Sequence, residues 1–316
     1  MSYSAVFIDS VHGSCEKILF ANGFACIRGF DMSDMELFNA MENAEVWVIR
    51  SRLKLTQEVI EKGRRLRCIA RAGAGMENID VNFAERRGIQ CVHAPDGNKD
   101  AVAEHAMGML LMLLNNLARA DREVRDGLWR REENRGIEIK GKTIGIIGYG
   151  NMGSAFAERL SGFGAEVLAF DKYKRGFANS YVKEVSIQEI FNHADVVSLH
   201  IPLTDETKYL VNTEWLHQFK KNIVLINTAR GKCVSTKDLV NAMRVGKVVG
   251  ACLDVLEYEA VSFEKMESEN IPEDLEFIFR SDRVVLSPHI AGWTHESNEK
   301  IAEILANRIL NVMLVT

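Results

Sequence analysis

The sequence predicts an α/β protein of two doubly wound parallel-sheet domains, and three observations carry that prediction. The first is length: 316 residues exceed the soft range of about 100–200 for one domain, and an apolar fraction of 47% can fill two cores. The second is a repeated alternation of short apolar runs with helix-like stretches, the pattern of a parallel sheet with helical crossovers. The third is a glycine-rich turn between a strand and a helix, Gly148-Tyr149-Gly150-Asn151-Met152-Gly153.

In the N-terminal part the expected strands are Ala5 to Ile8, Val46 to Ile49, Cys68 to Ala70 and Cys91 to His93, with helices at Asp34 to Glu42 and Thr56 to Lys62. From Ala101 to Ala120 apolar residues recur at almost every turn. That predicts one long, mostly buried helix joining the domains and ending before the charged stretch Asp121 to Arg135. Alternation resumes after Lys142, with strands at Val196 to Leu199, Ile223 to Ile226, Val248 to Leu253 and Val284 to Leu286. Phe263 to Phe279 is acidic and reads as a helical surface excursion. Glu296 to Val315 is helical in period with no strand of its own, so it is expected to cross back and make the first domain discontinuous.

The glycine turn follows the apolar run Lys142 to Ile147, and Asp171 closes the next run, Glu166 to Phe170. In that context Gly148 makes the tight turn, Gly150 lets backbone approach a pyrophosphate, and Gly153 lets the helix pack close to the strand. The helix N-terminus would face the phosphates with unpaired N–H groups and its positive dipole end. Asp171 can accept hydrogen bonds from a ribose 2′-hydroxyl and would repel a 2′-phosphate, so the expected cofactor is NAD rather than NADP.

Composition narrows the partners. Net charge is -5 and the basic residues are scattered, which argues against nucleic acid and anionic membranes and for a small molecule. Ser4 to Asp9 reads as a first strand rather than a signal peptide. The longest apolar run, Met109 to Leu114, falls far short of the about 20 residues that span a bilayer. The cysteines at 15, 26, 68, 91, 233 and 252 form no CxxC pair and no zinc spacing. No metal is therefore expected; Cys68, Cys91 and Cys252 lie in apolar runs as small core residues, and a cytoplasmic location is expected.

Three chemically versatile residues sit just after predicted strands, where open α/β sheets bind ligands. Arg230 follows Ile223 to Ala229, Glu259 follows Val248 to Asp254 by a short turn, and His289 follows Val284 to Pro288. Together they make a minimal kit for reducing a 2-keto acid, the hydride itself coming from the nicotinamide. A guanidinium holds the carboxylate and polarises the carbonyl. An imidazole exchanges the proton, and a glutamate orients it and raises its basicity.

Five segments then resemble the D-isomer-specific 2-hydroxyacid dehydrogenase family, over nearly the whole chain. They are Gly141-Lys142-Thr143 leading into the glycine turn, His200-Ile201-Pro202-Leu203-Thr204, Asn227-Thr228-Ala229-Arg230-Gly231, Gly250 to Val255 through Glu259, and Ser287-Pro288-His289-Ile290-Ala291-Gly292. The resemblance implies a Rossmann NAD-binding domain, residues 99–293, inserted into a flavodoxin-like substrate domain, residues 1–98 plus 294–316. It implies catalytic roles for Arg230, Glu259 and His289, with His289 as acid/base. It implies NAD contacts at the glycine turn, Asn151, Met152, Asp171, His200, Pro202, Thr228, Ala229, Asp254 and Gly292.

For the substrate, the resemblance implies a carboxylate cradle at Arg71-Ala72-Gly73-Ala74-Gly75, where exposed N–H groups of small residues bind an anion, and a contact at Asn98. Within the family the likeness is greatest to phosphoglycerate dehydrogenases, because Arg50-Ser51-Arg52 follows a strand and precedes Leu55-Thr56. Several guanidiniums suit a substrate with both carboxylate and phosphate, and replacing Arg52 is expected to weaken only a phosphorylated one. Glyoxylate or hydroxypyruvate reduction is the alternative, and an NAD-sensing corepressor-like binding protein is the alternative of another class. Glu104 and His105 read as packing or hinge residues. Trp129, followed by Arg130 and Arg131, resembles an arm pressed against a neighbouring subunit, which implies a homodimer.

The chain departs from the family's pattern in three places. Ala260 stands where many relatives have proline, so Glu259 rests on spacing and Glu257 is a rival. Residues 261–280 are longer and more acidic than usual, and Trp293 puts a large ring after the histidine segment. The sequence ends at Thr316, without the C-terminal regulatory domains of some phosphoglycerate dehydrogenases, so no serine inhibition is expected.

Overall fold

Residues 3–259 and 271–314 are described by a computed structural model. They fall into two compact units, one of residues 3–98 and 293–314, the other of residues 99–259 and 271–292. In chain order the first unit runs β1 (Ser4–Phe7), α1 (Gly13–Ala21), β2 (Ala25–Ile27), α2 (Asp34–Asn43), β3 (Val46–Ile49), α3 (Gln57–Glu61), β4 (Cys68–Arg71), α4 (Val81–Arg86) and β5 (Gln90–His93). The second opens with α5 (Lys99–Leu114), α6 (Leu117–Arg125), β6 (Thr143–Ile147), α7 (Asn151–Leu160), β7 (Glu166–Phe170), β8 (Lys183–Glu184), α8 (Ile187–His193) and β9 (Val196–Leu199). It continues through α9 (Thr213–His217), β10 (Ile223–Asn227), α10 (Thr236–Arg244), β11 (Val248–Leu253), α11 (Glu273–Arg280) and β12 (Val284–Leu286), and α12 (His295–Leu314) returns to the first unit.

The first sheet has the order β2-β1-β3-β4-β5, all parallel, which is the flavodoxin-like arrangement. β3 is buried at every position, as a strand covered on both faces must be. Its Trp47 satisfies the indole N–H on the Met41 carbonyl at 2.9 Å. Helix α12 packs on α1, β4 and β5 through Ala302, Leu305, Ala306, Ile309 and Met313, a stripe at helical spacing.

The second sheet has seven strands in the order β12-β11-β10-β9-β6-β7-β8, again all parallel. Counted from β6 this is the Rossmann order extended by one strand. Asn227 pairs with Leu253, and Leu253 with Leu286, so the ends of β10, β11 and β12 lie side by side. That alignment collects the loops that follow them.

One expected element divides. The stretch expected as a single helix from Ala101 to Ala120 is two, α5 and α6, bent by 61°. Asn116 takes the left-handed conformation at the break, with φ 54°, which asparagine tolerates better than most residues. α5 buries Ala101, Ala106, Leu110 and Leu114 among others, but α6 buries nothing and runs into the charged stretch as far as Arg125. The N-terminal part of the expected acidic excursion, 260–270, lies outside the described residues. Its C-terminal part is α11, an amphipathic helix that buries Leu275 and Ile278 and packs against α10 and β12.

Candidate active site

The glycine turn in the second unit is shaped by contacts that only glycine permits. Gly148 has φ +91°, and a Cβ there would lie 2.4 Å from the His200 carbonyl oxygen; one at Gly153 would lie 2.1 Å from the Gly148 oxygen. A Cβ at Gly150, the residue capping α7, meets nothing within 4 Å, so open space borders the helix N-terminus. Asn151 and Met152 form that first turn. The hydroxyl oxygen of Thr228 is buried with no partner among the described residues, the mark of a group awaiting a ligand. Together, the cradle, the open helix end and the orphaned hydroxyl fit a dinucleotide.

Asp171 is held at the end of β7 by three backbone donors. Its Oδ2 accepts from the Tyr149 N–H at 2.7 Å, and Oδ1 from those of Tyr173 and Lys174, both at 2.9 Å. Burial opposes its ionisation, but these bonds and the nearby Lys174 ammonium outweigh it and hold the carboxyl below the usual range. His200 is half-buried: its Nε2 lies 2.9 Å from the Ser198 hydroxyl and its ring is tilted against Phe156. Burial pushes its imidazole down to about 4, so the ring is neutral. What it presents to the turn is its carbonyl.

At the aligned ends of β11 and β12, Glu259 and His289 meet. His289 Nδ1 lies 2.8 Å from Glu259 Oε2, and the other carboxylate oxygen accepts from the Leu256 N–H. The rival Glu257 is turned elsewhere, accepting from the Thr236 N–H at the start of α10 at 2.8 Å. Arg230 follows β10, the neighbouring strand, and donates to the Ala229 carbonyl at 2.8 Å. A Cβ at Gly231 would lie 1.8 Å from the Leu256 oxygen, so the Arg230 loop and the Glu259 loop touch backbone to backbone.

Two side chains whose roles were not legible in sequence build these loops. Asn227 accepts from the Ala229 N–H at 3.1 Å and donates to the Arg230 carbonyl at 3.0 Å. Asp254, almost wholly buried, pins the His289 loop: Oδ1 accepts from Ser287 Oγ at 2.6 Å and the Ile290 N–H at 2.8 Å, and Oδ2 from the Ala291 N–H at 2.9 Å. The Asp254 carbonyl also takes the His289 N–H at 2.8 Å. His289 itself has φ +55°, a strained setting for a side chain that the surrounding bonds must impose. His105 on α5 completes the network, its Nε2 2.8 Å from Ser287 Oγ.

The first unit carries the residues expected at the substrate. Arg71 ends β4, and its guanidinium lies against Gly73, where a Cβ would sit 1.7 Å from Nη1. The Ala74 carbonyl of the same loop bonds His93 Nδ1 at 2.5 Å, Gly75 closes the loop, and the Asn98 Oδ1 is buried without a partner among the described residues. After β3, Asp9 takes the backbone N–H of both Arg50 and Arg52, which tightens the turn around Ser51. The two guanidiniums differ. That of Arg52 donates to Asp34 at 3.1 Å and approaches the Ile8 and Gly29 carbonyls, whereas that of Arg50 lies over the Trp293 ring, its central carbon 4.4 Å from the ring centroid.

Comparison with known proteins agrees with this geometry. The model of the family described as D-isomer specific 2-hydroxyacid dehydrogenase, NAD binding domain, matches residues 107–291. The chain is 35% identical over 274 residues to a hydroxypyruvate reductase of Thermotoga maritima, covering 87% of this chain and 86% of the relative. It is 35% identical over 308 residues to a D-3-phosphoglycerate dehydrogenase of Methanocaldococcus jannaschii, covering 96% of this chain and 56% of the relative. It thus spans about half the length of the phosphoglycerate dehydrogenases it matches. Among solved structures, the D-lactate dehydrogenase of Aquifex aeolicus complexed with NAD and lactic acid has a TM-score of 0.81 at 29% identity, over 98% of this chain and 94% of that one.

A Rossmann sheet with a dinucleotide turn, and a histidine–carboxylate pair at its carboxyl edge, define an oxidoreductase. The chain belongs to the D-isomer-specific 2-hydroxyacid dehydrogenase family, and its cofactor is NAD.

Proposed function

We propose that the protein oxidises 3-phosphoglycerate to 3-phosphohydroxypyruvate, the entry step of serine synthesis, with Arg230, Glu259 and His289 as its catalytic residues. NAD, when bound, accepts the hydride from C2. Arg230 grips the substrate carboxylate through its planar donor fork. Glu259 accepts from His289 Nδ1, which fixes the tautomer, so exchange of the hydroxyl proton falls to Nε2. As C2 loses hydride, His289 takes that proton and the alcohol becomes a ketone. In the reverse direction the same nitrogen returns it.

The observation that carries the chemistry is the 2.8 Å His289–Glu259 pair at the ends of neighbouring strands. The phosphorylated substrate is supported by Arg50, just after β3, and Arg71, at the end of β4, both in the first unit, which we assign as the substrate-binding domain. A panel run with NAD and NADP side by side tests this reading. Turnover of 3-phosphoglycerate above all unphosphorylated acids supports it, and exclusive use of glyoxylate or hydroxypyruvate refutes it. The second reading, an unphosphorylated 2-keto acid reductase, draws support from Arg52, whose guanidinium is already engaged by Asp34. The proposal extends to a cytoplasmic homodimer: Trp129 is 79% exposed beside the half-exposed Leu128, an apolar patch suited to a subunit contact. Light scattering that reports only monomer refutes the dimer.

A further inference from the structure

The backbone of Arg50 is fixed from both sides. Its N–H donates to Asp9 Oδ2 at 2.6 Å, and its carbonyl accepts from Asn78 Nδ2 at 3.2 Å. Its side chain lies over the Trp293 ring, and no described residue gives its guanidinium a hydrogen bond or an ion pair. Stacking occupies the flat face of a guanidinium and leaves the in-plane N–H donors at its edge for an anion. Those donors match the oxygens of a phosphate or carboxylate in a two-point fork.

Trp293 is 67% exposed. It stands at the entry to α12, where Thr294 and Ser297 cap each other reciprocally, each backbone N–H reaching the other's hydroxyl at 3.0 Å. An exposed indole next to a capped helix start, with a cation over its face, can serve as a platform.

We propose that Trp293 is a positioning residue for substrate selection: its ring holds the Arg50 guanidinium flat so that the donor edge takes the distal phosphate of the substrate. This rests on the reading of the substrate as phosphorylated. Arg52 serves the same turn structurally, through Asp34 and the neighbouring carbonyls.

Steady-state kinetics on the full chain with NAD decide it, using 3-phosphoglycerate and D-glycerate as paired substrates. The variants are W293A, W293F, R50A and the double R50A/W293A, each checked for native folding by circular dichroism. W293A is expected to lower the ratio of kcat/KM for the phosphorylated over the plain acid about threefold, the scale of an exposed cation–π contact. The loss falls on the KM of the phosphorylated substrate, and W293F restores most of it. Because Trp293 acts through Arg50, the double variant is no worse than R50A. An unchanged ratio, a loss confined to kcat, or effects that multiply in the double variant overturns the inference. If the wild type ignores phosphorylated acids, the substrate reading fails and this inference with it, whereas an unchanged ratio in W293A of a wild type that prefers the phosphorylated acid overturns the inference alone.

Discussion

The two sheets present the same kind of edge and wire it differently. At the carboxyl edge of the second unit, His289, Glu259 and the loop-building Asp254 and Asn227 are hydrogen-bonded partners before any substrate arrives. At the corresponding edge of the first unit, the Arg50 guanidinium has no hydrogen bond or ion pair to a described residue while Arg52 is tied to Asp34, and Asn98 keeps a buried oxygen without a partner among the described residues. Proton transfer tolerates little misplacement, so its groups are pre-bonded into one geometry. Recognition of a substrate's far end needs donors left open.

Substitutions at each edge test this contrast. The largest effect is expected at the pre-bonded edge: Glu259→Gln should lower kcat about 10²-fold while KM moves little, because the imidazole loses its orienting carboxylate. Asp254→Asn would confront the Ile290 or Ala291 N–H with an amide donor, and should cost about 2 kcal/mol of stability in urea unfolding. At the open edge, R50A should raise the KM for a phosphorylated substrate about tenfold, and R52A less than about threefold, since one exposed ion pair contributes little. A reversed order would show that Arg52 leaves Asp34 to bind substrate.

The smallest effect is on acid stability. The pKa of His200 is depressed to about 4 in the fold, from an ordinary 6.5. Between those values the unfolded chain binds the extra proton, so stability present above pH 6.5 is lost as pH falls toward 4. Replacing His200 with glutamine should flatten this slope by a few degrees in melting temperature. An unchanged slope would mean that the imidazole is not enclosed.

Much of this was legible because buried parallel strands read as continuous apolar runs; β3, β9 and β10 are buried throughout and emerge at or near their expected bounds. What escaped lies at edges and ends. β2 and β8 are short, partly exposed edge strands with no such run, and the bend at Asn116 depends on one residue's φ. At the site, residue types pointed to Arg230, Glu259 and His289, but spacing could not separate Glu257 from Glu259. Only the fold directs Glu257 to α10 and Glu259 to His289. Asp254 was expected against NAD, and its bonds to the His289 loop reach across more than thirty residues, a relation no local pattern encodes.

The central claim is that His289, aimed by Glu259, moves the proton in a hydride transfer at C2. Its most direct test compares NADH formation by the wild type and His289→Ala on the substrate the panel selects. In the variant kcat is expected to be lower by about 10²- to 10⁴-fold, with NAD affinity retained by fluorescence titration. A His289→Ala protein that turns over at the wild-type rate would contradict it.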